Sequence, residues 1–302
     1  MERYINSFAT ENDIQTALQN GELLKPYVAY IEDADRIDWN SKEIVDYTTE
    51  YLTFNILSAG TIKWKASNTA ITKTIEYKVN NGEWVSITSN TGSSAPTITV
   101  NSGDKLQFRG NNAQYATKYS NYNSFGGSAS FEVEGNIMSL IYGDNFKNNS
   151  TISSTHTLTR LFGDCTKLIS AENLILPATT LANNCYNSMF YNCTSLTTAP
   201  SLPANTLKSG CYSYMFYKCA SLTTAPELPA TILVDSCYMG MLNGCSKLNY
   251  IKCLATNISA SNCTNYWVGG VAATGTFVKN PNMNDWTTGD SGIPNGWTVQ
   301  DA

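Results

Sequence analysis

The sequence predicts a mainly β protein of several domains. An N-terminal segment precedes an antiparallel two-sheet domain, a stack of short repeats and a C-terminal cap. Between residues 49 and 135, short β-branched and aromatic runs alternate with period two, as half-buried strands do. Cysteines then recur every 26 residues, which is typical of stacked units. The expected domains are 1–47, 48–135, 136–265 and 266–302.

The N-terminal segment contains one apolar run that is followed by acidic residues. Residues Tyr27 to Ile31 predict a strand, and Asp33 and Asp35 come directly after it. Several carboxylates together can bind Ca²⁺. The spacing and the glycine of an EF-hand loop are missing, however, so the favoured interpretation is a solvated or partner-facing turn.

The second segment contains seven short predicted strands separated by turn signals such as Asn81-Gly82. The strand runs are YLTFNIL, TIKWKA, KTIEYKV, WVSIT, TITV, KLQFRG and SFEVEG. Seven strands in one domain predict an antiparallel β-sandwich that is immunoglobulin-like in outline. The segment contains no cysteine, which excludes the disulfide of antibody domains.

One long connection inside this segment runs from Gly110 to Gly127 and is predicted to be a loop. It carries Tyr115, Tyr119 and Tyr122 among asparagine and serine residues. Tyrosines offer contact area at a small entropic cost, so these three are candidate ligand-binding residues for a glycan or receptor. The alternative is that the tyrosines pack on their own domain or on a neighbouring subunit. That alternative is favoured, because loop length alone is only a weak indication of a binding site.

The repeats predict one short helix per unit. Cys185, Met189 and Cys193 follow one another at intervals of four residues, which places them on one helix face. Two residues before each first cysteine stands a good N-cap residue: Asn183, Ser209, Asp235 and Ser261. The helix is expected to end near the second cysteine of each unit.

The second half of each repeat predicts an extended strand. Pro200 and Pro203 forbid a helix interior and favour an extended backbone. Stacked units should align buried columns, one containing Leu196, Leu222 and Leu248 and another beginning with Phe190 and Phe216. The strand side then exposes three candidate ligand-binding residues, which are Thr197, Thr223 and Glu227.

The repeat region is flanked by two segments that are expected to cover its ends. Residues 137–156 should cap the first repeat, because the end of a repeat stack must be shielded from water. At the other end, the runs GTFVKN and NGWTVQ predict two strands in a tryptophan-rich C-terminal cap.

The nine cysteines resemble a disulfide framework at first sight, but their number is odd. Most occupy repeated core positions, where a free cysteine behaves as a small apolar residue. Buried thiols are therefore favoured over disulfides. The eight-residue spacing and the single histidine, His156, do not fit a zinc site, and no metal or cofactor is expected.

The repeated pattern C-Y-x-x-M-F-x-x-C-x-x-L-x-x-A-P-x-L-P-A, which begins at Cys185, resembles the BspA-type leucine-rich repeat. That family occurs in bacterial surface proteins and in structural proteins of bacteriophages of gut Bacteroidetes. The stretch PYVAYIEDADRIDWN is similar to segments that begin fibre-like proteins of gut phages, including crAss-like phages. This resemblance implies a virion attachment role for Tyr27, Tyr30, Asp33 and Asp35.

Composition excludes several classes of function. The net charge is −5 and only 14% of residues are charged, without a basic patch of the kind that binds nucleic acid. No apolar run is long enough to span a membrane, and the N-terminus does not resemble a signal peptide. No motif singles out a catalytic nucleophile or a pair of carboxylates, so no enzymatic activity is expected.

Three functions remain, in order of preference. The first is a virion protein, a head or tail fibre or decoration protein made in the host cytoplasm. It would dock to capsid or tail proteins through its N-terminus and display the repeats to a bacterial-surface or mucosal glycan. By analogy with fibres it would be a homotrimer. The second is a BspA-like bacterial adhesin, and the third is a glycan-active enzyme.

Overall fold

A computed structural model of the chain describes residues 6–8, 28–31, 36–39 and 46–302. These residues form a mainly β protein with several sheets, which confirms the predicted class. The chain divides into two compact units, Met1–Asp46 and Tyr47–Ala302.

The first unit contains a three-stranded sheet of β1 (Asn6–Phe8), β2 (Val28–Ile31) and β3 (Arg36–Trp39). The central strand β2 pairs in parallel with β1 and antiparallel with β3. The predicted strand therefore corresponds to β2, and Tyr30 lies on it. The other predicted attachment residues, Tyr27, Asp33 and Asp35, lie outside the described residues, as does the acidic cluster that was considered for calcium.

The second unit begins with two sheets that include all seven predicted strands. The bounds are β4 (Leu52–Ile56), β5 (Gly60–Ala66), β6 (Thr74–Val79), β7 (Val85–Thr88), β8 (Thr97–Val100), β9 (Lys105–Arg109), β10 (Ala116–Lys118), β11 (Asn121–Gly127), β12 (Phe131–Asn136) and β13 (Leu168–Ile175). One sheet has the order β10-β11-β5-β8, and the other has the order β13-β12-β4-β9-β6-β7. Neighbouring strands are antiparallel, except that β12 and β13 are parallel.

Aromatic side chains from both sheets form the core between them. Phe54 on β4 contacts Phe108 on β9 and Phe125 on β11, with ring centroids 4.6 and 4.8 Å apart. Trp64 on β5 packs 4.8 Å from Phe125 and donates its indole N–H to the Lys73 carbonyl at 2.8 Å. Tilted and edge-on contacts of this kind contribute beyond the buried area alone.

The segment between Gly110 and Gly127 is not the long loop that the sequence predicted, because it contains β10 and β11. Its polar composition conceals a buried strand. Asn123 is fully buried, and its amide donates to the carbonyls of Ile71 at 2.7 Å and Tyr115 at 2.8 Å. Polar side chains are tolerated in a core when their hydrogen bonds are satisfied.

The two-sheet region and the repeats share one core. β12 pairs with β13, and the Phe125 N–H donates to the Leu161 carbonyl at 2.8 Å, so the first repeat continues both sheets. A four-residue helix, α1 (Ser139–Tyr142), connects β12 to the repeats, and its Leu140 is fully buried. The predicted boundary between residues 135 and 136 therefore falls inside a continuous apolar cluster.

The predicted helix in each repeat is wrong, because these segments are chains of tight turns. Between Asn184 and Asn192, the N–H of every second residue donates to a carbonyl within the same repeat, and the N–H groups between them donate to carbonyls of the next repeat. Met189 N–H donates to the Tyr186 carbonyl three residues earlier at 3.1 Å, whereas Phe190 N–H donates to Met215 of the next repeat at 2.9 Å. An α-helix would instead bond each N–H to the carbonyl four residues earlier. We call each repeat layer a rung.

Every fourth residue of a turn segment has a positive φ. The positions are His156, Arg160 and Asp164; Asn184, Ser188 and Asn192; Gly210, Tyr214 and Lys218; Ser236, Gly240 and Gly244; and Asn262, Tyr266 and Gly270. Type II turns require such a residue, and asparagine and glycine adopt this conformation most readily. Apolar residues spaced by four fit this period of four as well as a helix. The predicted N-cap residue Ser209 instead contributes its main-chain carbonyl, which accepts the Asn184 N–H at 2.9 Å.

Like side chains stack from rung to rung in the core. Phe190 and Phe216 lie parallel at 5.4 Å, which confirms the predicted pair, and Phe162 extends the column at 5.3 Å from Phe190. The predicted leucine column is likewise fully buried at Leu196, Leu222 and Leu248.

The second cysteine of each repeat links successive rungs through its thiol. All nine are buried and unpaired. Cys193 Sγ–H donates to the Phe162 carbonyl, and Cys219 Sγ–H donates to the Phe190 carbonyl, each at 3.1 Å. All nine cysteines therefore fill the core, and the second cysteine of each repeat also donates to a main-chain oxygen of the preceding rung.

The extended halves of the middle rungs form isolated bridges, such as Thr224 with Tyr250, and are not continuous strands. Proline removes the N–H that a ladder needs, so the repeated Pro pair interrupts the predicted sheet. Regular pairing returns where the prolines end, with β14 (Tyr250–Cys253), β15 (Thr276–Lys279) and β16 (Thr298–Asp301) in one parallel sheet. The two strands predicted in the C-terminal cap are confirmed as β15 and β16.

Candidate functional site

The turn segments of the five rungs form one side of the stack, which we call the turn side. Tyr191 and Tyr217 are half-buried there, and their rings stack in parallel with centroids 4.9 Å apart. Tyr214 meets Tyr217 edge-on at 5.7 Å. These rings are held in place by their neighbours, so a ligand that contacts them would lose little additional side-chain entropy.

An arginine connects this tyrosine row to the two-sheet region. The Arg160 guanidinium lies 4.3 Å from the ring centroid of Tyr191 and 5.1 Å from that of Tyr122 on β11. Cation–π contacts of this kind contribute about 0.5–1 kcal/mol at exposed sites. Arg160 also pairs with Asp164 at 3.4 Å, and Asp164 accepts the Asn192 amide at 2.9 Å.

The structure brings together only some of the tyrosines predicted to bind a ligand. Tyr119 is 66% exposed at the tip between β10 and β11, and Tyr122 belongs to the turn-side row through Arg160. Tyr115 was a wrong prediction, because its side chain is fully buried and donates to the Leu140 carbonyl at 2.6 Å. Burial accordingly raises the pKa of Tyr115.

The predicted strand-side residues lie apart from the tyrosine row, on the extended segments. Thr197, Thr223 and Glu227 are all exposed, as the sequence suggested. Thr197 donates its hydroxyl to the Ile169 carbonyl at 2.9 Å, and Glu227 pairs with Lys252 at 3.3 Å. A shallow groove of about 280 Å³ runs beside Glu227 between the two Pro pairs.

A second concavity of about 470 Å³ opens in the two-sheet region around Arg109. Arg109 bonds Glu76 and Asp144, each at 2.8 Å, and its guanidinium lies 4.3 Å from the Trp84 ring centroid. The Tyr51 hydroxyl donates to Asp144 at 2.8 Å and lowers the pKa of that carboxyl. The lining charges therefore pair with one another, and Asp144 lacks the raised pKa of a general acid.

The ionisable residues of the core are held in their neutral forms. Burial raises the pKa of Cys165 and of Cys185 to about 12, which makes their thiols poor nucleophiles at neutral pH. Burial lowers the pKa of His156, so its imidazole is neutral at pH 7. Among the described residues, no cluster of His, Cys, Asp or Glu is arranged to hold a metal ion.

No helix in the described part of the chain has the length and apolar character needed to cross a membrane. Comparisons with protein-family models, with curated proteins and with solved structures found no match to this chain.

The turn-side row could have been detected in the sequence by aligning the rungs. Tyr191 and Tyr217 lie 26 residues apart at equivalent positions, whereas Arg160 aligns with Tyr214. The stacking of an arginine from one position on a tyrosine from another depends on the turn geometry. The sequence could therefore indicate the tyrosine row but not its contact with Arg160.

Proposed function

We propose that the second unit combines an immunoglobulin-like sandwich with a short BspA-type leucine-rich-repeat solenoid. Two antiparallel sheets with an aromatic core support the first assignment. The 26-residue period and the buried leucine column support the second. In this solenoid a chain of turns occupies the place of the helix that many leucine-rich repeats contain.

We further propose that the chain is a structural protein of a bacteriophage virion, a head or tail fibre or decoration protein. Its first unit would dock to capsid or tail proteins, and its second unit would be displayed. The observation that carries this proposal is the main-chain bonding that runs without interruption from β11 through the rungs. Such bonding makes the second unit one stiff body, as display on a particle requires.

The displayed surface would bind a host-surface or mucosal glycan rather than catalyse a reaction. The turn side supports binding because it presents preordered aromatic rings beside amide and carboxylate groups. Tyrosine combines an apolar face with a hydroxyl, which suits a sugar that has apolar C–H groups and hydroxyls. A homotrimer remains our proposed assembly, and sedimentation velocity of the purified chain would measure it.

Mass spectrometry of purified particles tests the location. Phage particles are banded on a density gradient from a lysate that contains this chain, and the band is analysed with and without protease treatment of intact particles. The chain is expected in the band at a fixed ratio to the major capsid protein, with peptides of the second unit removed first. Absence from the band, with recovery in the bacterial surface fraction, would overturn the proposal in favour of a BspA-like adhesin.

A further inference from the structure

The fourth rung has glycine at two positions of its turn side, so its surface there is flat and consists of main chain. Gly240 and Gly244 both have a positive φ, of 61° and 79°. In the preceding rung the equivalent positions hold Tyr214 and Lys218. The side chains of Tyr214 and Lys218 extend over Gly240 and Gly244 respectively.

The Tyr214 ring lies across Gly240, where a Cβ atom would collide with ring carbons. Its plane is turned by 73° from that of Tyr217, whose ring stacks along the axis of the rungs. Tyr214 therefore lies along the surface rather than between rungs, with one ring face on the Gly240 backbone. The half-buried ring presents its other face outward, as a sugar-stacking residue would.

Lys218 supplies a positive charge beside this ring. Its Cγ lies 3.0 Å from where a Gly244 Cβ would stand, and its Nζ lies 5.4 Å from the Tyr217 ring centroid. Lys218 is exposed and forms no ion pair with any carboxylate in the described part of the chain. Its ammonium group is therefore available to an anionic ligand.

Asn243 stands between the two glycines and completes the polar part of the platform. Its Nδ2 donates to the Tyr266 carbonyl at 3.0 Å, which fixes the amide orientation. The Asn243 Oδ1 receives no hydrogen bond from the described residues and is available to a hydroxyl donor. Tyr266, which is 61% exposed, borders the platform in the following rung.

We infer that this platform, formed by Tyr214, Tyr217, Lys218, Asn243 and Tyr266 around Gly240 and Gly244, binds a carboxylate-bearing sugar unit of a glycan. The sugar ring stacks on Tyr214, a hydroxyl donates to Asn243 Oδ1, and the carboxylate pairs with Lys218. The inference rests on the proposed glycan-binding function and specifies its site and its ligand class. It also moves the main contact from the strand side to the turn side.

Titration calorimetry with two matched pairs of sugars tests this site on the full-length chain. The pairs are 3′-sialyllactose with lactose, and a β-1,4-linked glucuronic acid hexasaccharide with cellohexaose. The acidic member of at least one pair is expected to bind at least tenfold more tightly than its neutral partner, since a charge-assisted hydrogen bond contributes that much. Equal affinity within both pairs, or no binding of either acidic sugar, would overturn the inference.

The least disruptive substitutions use residues that occur at the equivalent positions of the preceding rung. Tyr214→Ser and Lys218→Asn place on this rung the residues that the preceding rung holds at Ser188 and Asn192 with the same positive φ. Lys218→Asn should weaken acidic-sugar binding about tenfold and leave neutral-sugar binding unchanged. Tyr214→Ser should weaken the binding of both. Gly240→Ser, which displaces the Tyr214 ring, should act as Tyr214→Ser does.

Lys147→Asn, which removes an exposed lysine from the segment before the rungs, is the matched control and should leave sugar binding unchanged. Loss of binding in Thr223→Ala on the strand side, with normal binding in Tyr214→Ser and Lys218→Asn, would overturn the turn-side site while glycan binding stands. If the wild-type chain also fails to bind a glycan array and host cells, the proposed function fails as well. Melting temperatures within a few degrees of wild type establish that each variant is folded.

Discussion

Phe216→Ala is the substitution that most directly probes the packing of the stack. Phe216 is fully buried, and its ring lies parallel to that of Phe190 at 5.4 Å. The next rung holds the smaller Leu242 at the equivalent position, so no neighbouring side chain can expand into the space. Truncation should therefore leave a cavity and lower the free energy of unfolding by about 3–5 kcal/mol.

Urea denaturation of the full-length chain, followed by tryptophan fluorescence, measures this loss. Phe216→Leu is the matched variant, because Leu242 shows that the column accepts leucine, and it should cost less than about 1.5 kcal/mol. Thr223→Ala on the exposed strand side should change the free energy of unfolding by less than about 0.5 kcal/mol. A loss below about 1 kcal/mol for Phe216→Ala at an unchanged m-value would refute the proposed column.

Three further predictions follow from the ionisable groups. The nine buried thiols, with the pKa of Cys165 raised to about 12, should react with a thiol reagent at pH 8 far more slowly in the native chain than in urea, and equal rates would contradict their burial. Burial lowers the pKa of His156 below the ordinary 6.5, so the unfolded chain binds the extra proton first and the free energy of unfolding should fall as pH drops below about 6.5. His156→Gln should lose this part of the pH dependence, which urea titrations from pH 7.5 to 5 would measure, and an unchanged slope would show that the histidine is solvated in the native chain. The Tyr51 hydroxyl is the largest contribution to the lowered pKa of Asp144, so Tyr51→Phe should raise that pKa in a carbon-13 NMR titration, and no change would show that the bond is absent in solution.

The sequence was sufficient for the buried columns and for most strands. All seven strands predicted from period-two alternation are present in the structure. The alternation is informative because side chains on opposite faces of a strand have different surroundings. The 26-residue period identified the leucine and phenylalanine columns, because stacked units must align like residues. Both inferences depend only on which residues are buried, and the spacing of apolar residues in the sequence indicates burial.

The secondary structure of the rungs was not accessible from the same patterns. Apolar spacing by four fits a helix and a chain of turns equally well, and Asn184 and Ser188 are acceptable in either. The main-chain bonds to the neighbouring rung decide between them, and those bonds require the whole stack to be present. Local sequence therefore could not distinguish the two.

The candidate site was predicted only in part for a related reason. Tyr119 is exposed and Tyr122 is half-buried, but Tyr115 is buried and its hydroxyl donates to the Leu140 carbonyl. The platform at Gly240 was not predicted, because a glycine in a repeat does not indicate which side chain of the neighbouring rung lies over it. The structure shows that the Tyr214 ring occupies the space that a side chain at position 240 would need.

NMR spectroscopy of the labelled full-length chain tests the turn stack most directly. Main-chain bonding between rungs predicts a cross-peak between the Phe190 amide proton and the Met215 α proton, and slow exchange of the Phe190 and Phe216 amides. It also predicts α-carbon shifts of a positive φ at Ser188. A continuous series of helical contacts from Cys185 to Cys193, without contacts between rungs, would contradict the turn stack and the stiff display body that depends on it.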